Sequence, residues 1–154
     1  MLLRTGAMHM VAVEQSRQCL RRWQATFAAT LADVPDARRR VRSALQQWGC
    51  QEGEVDDVVS ICSELVANAI RHGSRPHDCV DLTLRQDSWS VRVEVVDRRP
   101  DLLLPPAPAT QDESGRGLTI VTALADRVGT TTTSTTKTVW ARLALTTDRT
   151  RNPS

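Results

Sequence analysis

The stretch "ICSELVANAIRHG", Ile61 to Gly73, decides how the rest of the chain is read. On a helical wheel with Val58 at zero, its apolar side chains fill an arc from about −60° at Ile61, through Leu65, Ala69 and Cys62, to about +120° at Ile70. Asn68 falls at about −80° and Glu64 at about −120°, one turn apart at the margin of that arc. A carboxylate and a carboxamide so placed look into a cleft rather than into bulk water. They can do two separate things: accept a proton from a nucleophile, and give an uncharged oxygen to Mg2+. Boundary residues of an ordinary core helix fall at the same margin, so the helix alone leaves both readings open.

Outward from this stretch, the helix extends back to about Glu54, with an acidic first turn (Glu54, Asp56, Asp57), and closes on Arg71, His72 and Gly73. Both ends suit the helix macrodipole. Upstream, "PDARRRVRSALQQWG" opens on a proline suited to a first turn. It repeats apolar side chains at Ala37, Val41, Ala44 and Trp48 and stops at Gly49, a second helix. Before it, "WQATFAATL" sets Trp23, Ala25, Phe27, Ala29 and Leu31 on one face at period two, as a half-buried strand does. Downstream, "VDLTLRQD" and "SVRVEVVD" alternate as two strands joined through Asp87 and Ser88. A proline-rich segment from Arg98 to Ser114 follows, long for a plain connection and suited to a lid. "GRGLTIVTALAD" then restores helical spacing, and "RVGTTTTST" and "KTVWARLAL" read as two more strands. Helices gathered on one face of a mixed, mostly antiparallel sheet are the natural way to bury this set, an α/β (α+β) two-layer sandwich. One domain over 23–146 is expected, with 1–22 as an extension and 147–154 as a disordered tail.

Composition narrows the function classes. Twenty basic against 18 acidic residues leave a net charge of +2, too little to draw the chain to nucleic acid or an anionic membrane. Aromatics make up 3%, too few for a base-stacking platform. Nineteen of the 20 basic residues are arginine and the single lysine is Lys137. The cysteines Cys19, Cys50, Cys62 and Cys79 have no metal-ligand spacing and read as free thiols. With no signal-like apolar core and no long apolar run, a cytoplasmic protein is expected.

Two further places could carry chemistry. Asp97 ends an apolar strand, where its carboxylate could meet a ligand amino group, although strand-ending Asp is also a common turn former. In "ESGRGLTIV", Gly115 and Gly117 frame a helix start whose N–H groups can face an anion, and Arg116 adds a charged donor. No P-loop, G-x-G-x-x-G, H-R-D or H-E-x-x-H motif is present, so any nucleotide site is of another kind.

Taken in order, E-L-x-x-N (Glu64, Leu65, Asn68), the strand-ending Asp97 and G-x-G-L (Gly115, Gly117, Leu118) resemble the N, G1 and G2 boxes of the GHKL ATPases. "ELVANAIRHG" and "KTVWARL" are especially similar to the small stand-alone bacterial anti-sigma-factor serine/threonine kinases. The resemblance spans about Trp23 to Leu145. It implies ATP and Mg2+ as cofactors, Glu64 as general base, Asn68 as Mg2+ ligand and Asp97 as the acceptor of the adenine amino group. It further implies Gly115, Arg116, Gly117 and Leu118 at the phosphates, Thr138 near adenine, and a place for His72 just after the first motif. A sigma factor or an anti-sigma-factor antagonist as protein partner, and a homodimer, are implied in the same way. The sequence departs from the family's D-x-G-x-G, because Arg98, Arg99 and Pro100 follow Asp97.

Three other functions compete. A non-catalytic regulator would use ATP only to order its lid. A histidine-kinase ATPase module needs a phosphoacceptor hairpin for which about 22 upstream residues leave no room. A helix-turn-helix built on "RRRVRSALQQWGCQEGEVDDVV" would open its recognition helix with acidic residues, which face phosphates badly.

Overall fold

The computed structural model describes residues 19–73, 78–97 and 113–146, without the side chains of 113–118. Residues 1–18 of the expected extension, the expected tail over 147–154 and residues 98–112 of the expected lid lie outside the described residues.

The elements follow the order read from the sequence. They are β1 (Arg21–Ala28), a 3-10 turn (Leu31–Asp33), α1 (Val34–Gln47), α2 (Glu52–Gly73), β2 (Cys79–Gln86), β3 (Ser90–Asp97), α3 (Glu113–Leu124), β4 (Arg127–Thr132) and β5 (Lys137–Ala144). The five strands lie in the order β1-β2-β3-β5-β4. The expected mixed, mostly antiparallel sheet is antiparallel at all four of these pairings.

Strand alternation divides the sheet into two faces. Val80, Leu82 and Leu84, Val91, Val93 and Val95, and Ala141 and Leu143 turn to one side and are buried. α2 lies over that side against β2, β3 and β5, with α1 and α3 packed along its flanks. Val55, Val58, Ile61, Cys62, Leu65 and Val66 of α2 are essentially without solvent contact. They fill the arc that the wheel assigned to the core. Burial holds the Cys62 thiol above its ordinary 9.0, so it stays protonated and inert.

Local chemistry fixes the ends. Gly49, at φ 77, takes the left-handed conformation that stops α1. Gln51 and Glu54 form half a capping box, Glu54 Oε2 accepting the Gln51 N–H at 3.2 Å. The other carboxylate oxygen accepts the N–H and Oγ1–H of Thr146, at 2.7 and 2.8 Å, which ties the exit of β5 to the first turn of α2. Arg42 bridges the two helices through Glu52 (3.0 Å) and Asp56 (2.8 Å). Asp87 makes the β2–β3 turn as expected, its Oδ1 accepting the N–H groups of Trp89 and Ser90 at 2.7 Å each.

Two expectations change at the first strand. β1 takes in Arg21 and Arg22, ahead of the expected start at Trp23, because both lie opposite β2 residues in the ladder. It ends at Ala28, and Leu31 leaves the apolar face for the 3-10 turn, 49% exposed.

Candidate functional site

Asn68 is positioned by the apolar arc of α2. With Ile61, Leu65 and their neighbours pressed onto the sheet, the margin of the helix faces the end of β3. There Asn68, Ala69 and His72 line a small cavity with Val95, Asp97, Lys137 and Val139. Asn68 Oδ1 is buried and has no hydrogen-bond partner. An orphaned buried carbonyl oxygen carries a desolvation cost of about 1–3 kcal/mol that a cation or donor would relieve. Glu64, one turn earlier, is half-buried and is not part of the cavity's lining.

The cavity floor is polar where β3 and β5 otherwise turn aliphatic side chains to this face. Asp97 and Lys137 are each 6% exposed and stand directly opposite one another in the β3–β5 ladder. Burial pushes the Lys137 ammonium below its ordinary 10.5, and the Asp97 carboxylate pulls in the opposite direction. A buried lysine beside a buried carboxylate gives the floor one donor and one acceptor side by side. A purine edge that offers an amino group next to a ring acceptor matches that pair.

Register separates two residues that the sequence left adjacent. Lys137 shares its face with Val139, Ala141 and Leu143, whereas Thr138 pairs with Val96 and Thr131 on the opposite face. The structure therefore does not bring Thr138 to the cavity, and Lys137 holds the place beside Asp97. The signal was legible in "KTVWARL": alternation from three apolar residues at 139, 141 and 143 carries 137 inward.

At the turn expected to face phosphates, α3 begins at Glu113 rather than after the glycines. The Gly115 N–H falls among the first-turn donors that a helix leaves free, while that of Gly117 lies beyond them. The side chains of Arg116 and Leu118 are outside the described residues.

The cavity encloses about 20 Å³, room for a water rather than a purine, so its lining is at most a polar floor and not the envelope of a larger ligand. No group of three or more His, Cys, Asp or Glu that could hold a metal occurs among the described residues. Mg2+ prefers six oxygens, and a single carboxamide fits it only as an ion carried in with a polyphosphate. A larger concavity, about 290 Å³, opens on the other face of the sheet around Arg85, Arg92 and Arg142. Among the described residues no helix is long and apolar enough to cross a membrane.

Comparison with known proteins bears on the family and the fold. A family model described as the histidine kinase-like ATPase domain matches residues 27–143. No curated protein matches in sequence. Among solved structures, the RsbU and RsbW domains of Rv1364c from Mycobacterium tuberculosis are similar at TM-score 0.63 and 21% identity. That match covers 81% of this chain and 32% of the other, so this chain spans about a third of it. The SiaB-SiaC complex from Pseudomonas aeruginosa is similar at TM-score 0.59 and 12% identity, over 93% of this chain and 100% of the other. At these identities the likeness is one of fold.

Proposed function

The chain belongs to the histidine kinase-like ATPase domain family, and from that premise we propose that it binds Mg2+·ATP over the Asn68–Asp97–Lys137 floor and acts as an anti-sigma-like serine/threonine protein kinase. The observation that carries the reading is the orphaned Asn68 Oδ1, a buried acceptor in the same cavity as the Asp97 carboxylate. The motif resemblance points to an anti-sigma-factor antagonist as the substrate protein.

Each residue has a defined task. Asp97 accepts the base amino group, and Lys137 donates to the adjacent ring acceptor while balancing the buried carboxylate. Asn68 Oδ1 would be the protein's ligand to Mg2+, and the ion would neutralise phosphate charge. The Gly115 N–H, with Arg116, serves the phosphates at the start of α3. Glu64 takes the proton from the substrate Ser or Thr hydroxyl as that oxygen bonds to the γ-phosphorus and the bond to the β-phosphate oxygen breaks, releasing ADP. Beyond that proton, phosphoryl transfer asks chiefly for positioning and charge neutralisation.

Two substitutions test the reading. Asn68→Ala is expected to weaken ATP binding in Mg2+ much more than in EDTA, as calorimetry would show. Absence of ATP binding at millimolar nucleotide by the folded wild-type protein overturns the proposal. Glu64→Gln is expected to leave ATP binding nearly intact and slow transfer to a cognate antagonist by about 10²–10⁴-fold. The position of Glu64 outside the cavity lining favours a second reading, a regulator that binds ATP without transferring phosphate. Transfer at the wild-type rate by Glu64→Gln removes the base; no transfer by wild type, with binding intact, selects the second reading.

A further inference from the structure

The open face of the sheet carries an arrangement that no single strand reveals. In the ladder Arg22 stands opposite Arg85, Arg85 opposite Arg92, Arg92 opposite Arg142, and Arg142 opposite Arg127. Five arginines, one from each strand, form one cross-strand row. At a strand spacing of about 4.8 Å the row is roughly 19 Å long. Like charges set directly opposite one another across a ladder are destabilising, and here the opposition repeats at all four pairings. Among the described residues, Glu94 alone forms ion pairs with members of the row, to Arg92 at 2.8 Å and Arg85 at 3.8 Å.

Three of the guanidiniums, those of Arg22, Arg92 and Arg142, are held by neighbours. Arg92 lies over the Trp140 ring, 4.3 Å from its centroid. Arg142 Nε donates to Ser90 Oγ at 3.0 Å, and Arg22 Nη2 donates to Gln24 Oε1 at 2.9 Å. None of these contacts uses all five N–H donors of a guanidinium, so donors remain for something else. Arg85, Arg92 and Arg142, with Gln86, Asp87 and Ser90, also line the concavity of about 290 Å³. The Asp87 carboxylate there is already engaged by the turn's N–H groups and by Ser90 Oγ.

We propose that this arginine row is a docking surface for a carboxylate-rich segment of a partner protein, laid across the strands on the open face. Charge complementarity identifies the occupant. The arginine fork matches carboxylates in bidentate fashion, and a row one residue wide fits a single peptide segment. Nucleic acid is a poorer match. The next rows carry Glu94 and Asp81, which confine the positive stripe, and Trp140 is covered by Arg92 and offers no free ring for base stacking. A second copy presenting the same row would set arginine against arginine. The row and the Asn68–Asp97–Lys137 cavity lie on opposite faces of β3, so this surface stands independently of the nucleotide reading.

The test uses the full chain and a fluorescent Glu-rich peptide of about 15 residues, long enough as a helix to cross the row. Fluorescence anisotropy is expected to show salt-sensitive binding. The Arg85→Gln/Arg142→Gln protein should lose affinity by roughly tenfold or more. Arg38→Gln/Arg39→Gln, with the same charge loss on α1, should change it by less than about twofold. Should the first pair fail to fold, Arg22→Gln/Arg127→Gln at the exposed ends of the row provides the same reading. The row variants are also expected to keep or raise Tm, because repulsion is relieved. Any of four results overturns the proposal: no peptide binding by wild type at about 100 mM salt, equal binding by row and control variants, a Tm lowered in Arg22→Gln/Arg127→Gln, or tighter row-dependent binding of a DNA oligonucleotide than of the peptide.

Discussion

The two faces of one sheet, built from alternate residues of the same strands, obey opposite rules. On the covered face of β3 and β5, aliphatic side chains run without interruption until the last residue of β3 and the first of β5, where Asp97 and Lys137 are buried together. On the open face, charged and polar residues are ordinary, and what stands out is that five arginines fall in register. On the covered face the residue type is the signal, because burying a charge is expensive. On the open face type says little, and only arrangement does.

That contrast can be broken first where it is steepest. Leu82→Ala, on the covered face, is expected to lower stability by about 2–5 kcal/mol. Arg85→Ala, three residues along β2 on the open face, should stay within about 0.5 kcal/mol. Urea unfolding reads both, and comparable midpoint shifts would mean that the faces do not differ in the way burial implies.

The open face contains one position that should behave as though it were buried. A Cβ at Gly129 would lie 2.4–2.7 Å from three atoms of the Trp140 ring. Because the obstruction is the body of an indole held under Arg92, Gly129→Ala is expected to cost about 1–3 kcal/mol, an overpacking penalty. Thermal unfolding would check it; a neutral result would show that Trp140 swings away freely.

The smallest effect sharpens the covered face. The folded pKa of Lys137 is lowered from 10.5, so burial of the charged form costs stability at pH below that lowered value. As pH rises through it towards 10.5 the unfolded state holds more protons than the folded one, and stability rises. Cys62, raised above 9.0, pulls the other way in alkali, but equally in wild type and in Lys137→Met. The difference in denaturant stability between the two proteins is therefore expected to shift in favour of wild type across the alkaline range. A difference independent of pH would mean that Lys137 titrates alike folded and unfolded.

Much of this was legible before the fold was seen, and the reason differs by feature. The arc of α2 and the alternation of β2 and β3 are local patterns, so they read directly, as did the Asp87 turn and the placement of Asn68 at the edge of the core. Lys137 was readable but passed over, since a lysine after a threonine run suggests a solvated strand edge until its face is counted from Val139. The partnership of Asp97 with Lys137 and the arginine row depend on pairing between strands far apart in the chain. Residues 22, 85, 92, 127 and 142 share no spacing, and only the order β1-β2-β3-β5-β4 brings them into line.

That strand order also shapes how the protein must be made. β5 sits between β3 and β4 although it is synthesised after both. Until residue 144 has left the ribosome, β3 presents an unpaired edge carrying Val91, Val93 and Val95, and β4 has no neighbour in the sheet. The clamp from Thr146 to Glu54 then closes across 92 residues of sequence. A nascent chain stalled before β5 exposes an apolar strand edge of the kind that recruits other strands, so the interval before β5 emerges is when this domain is most open to aggregation.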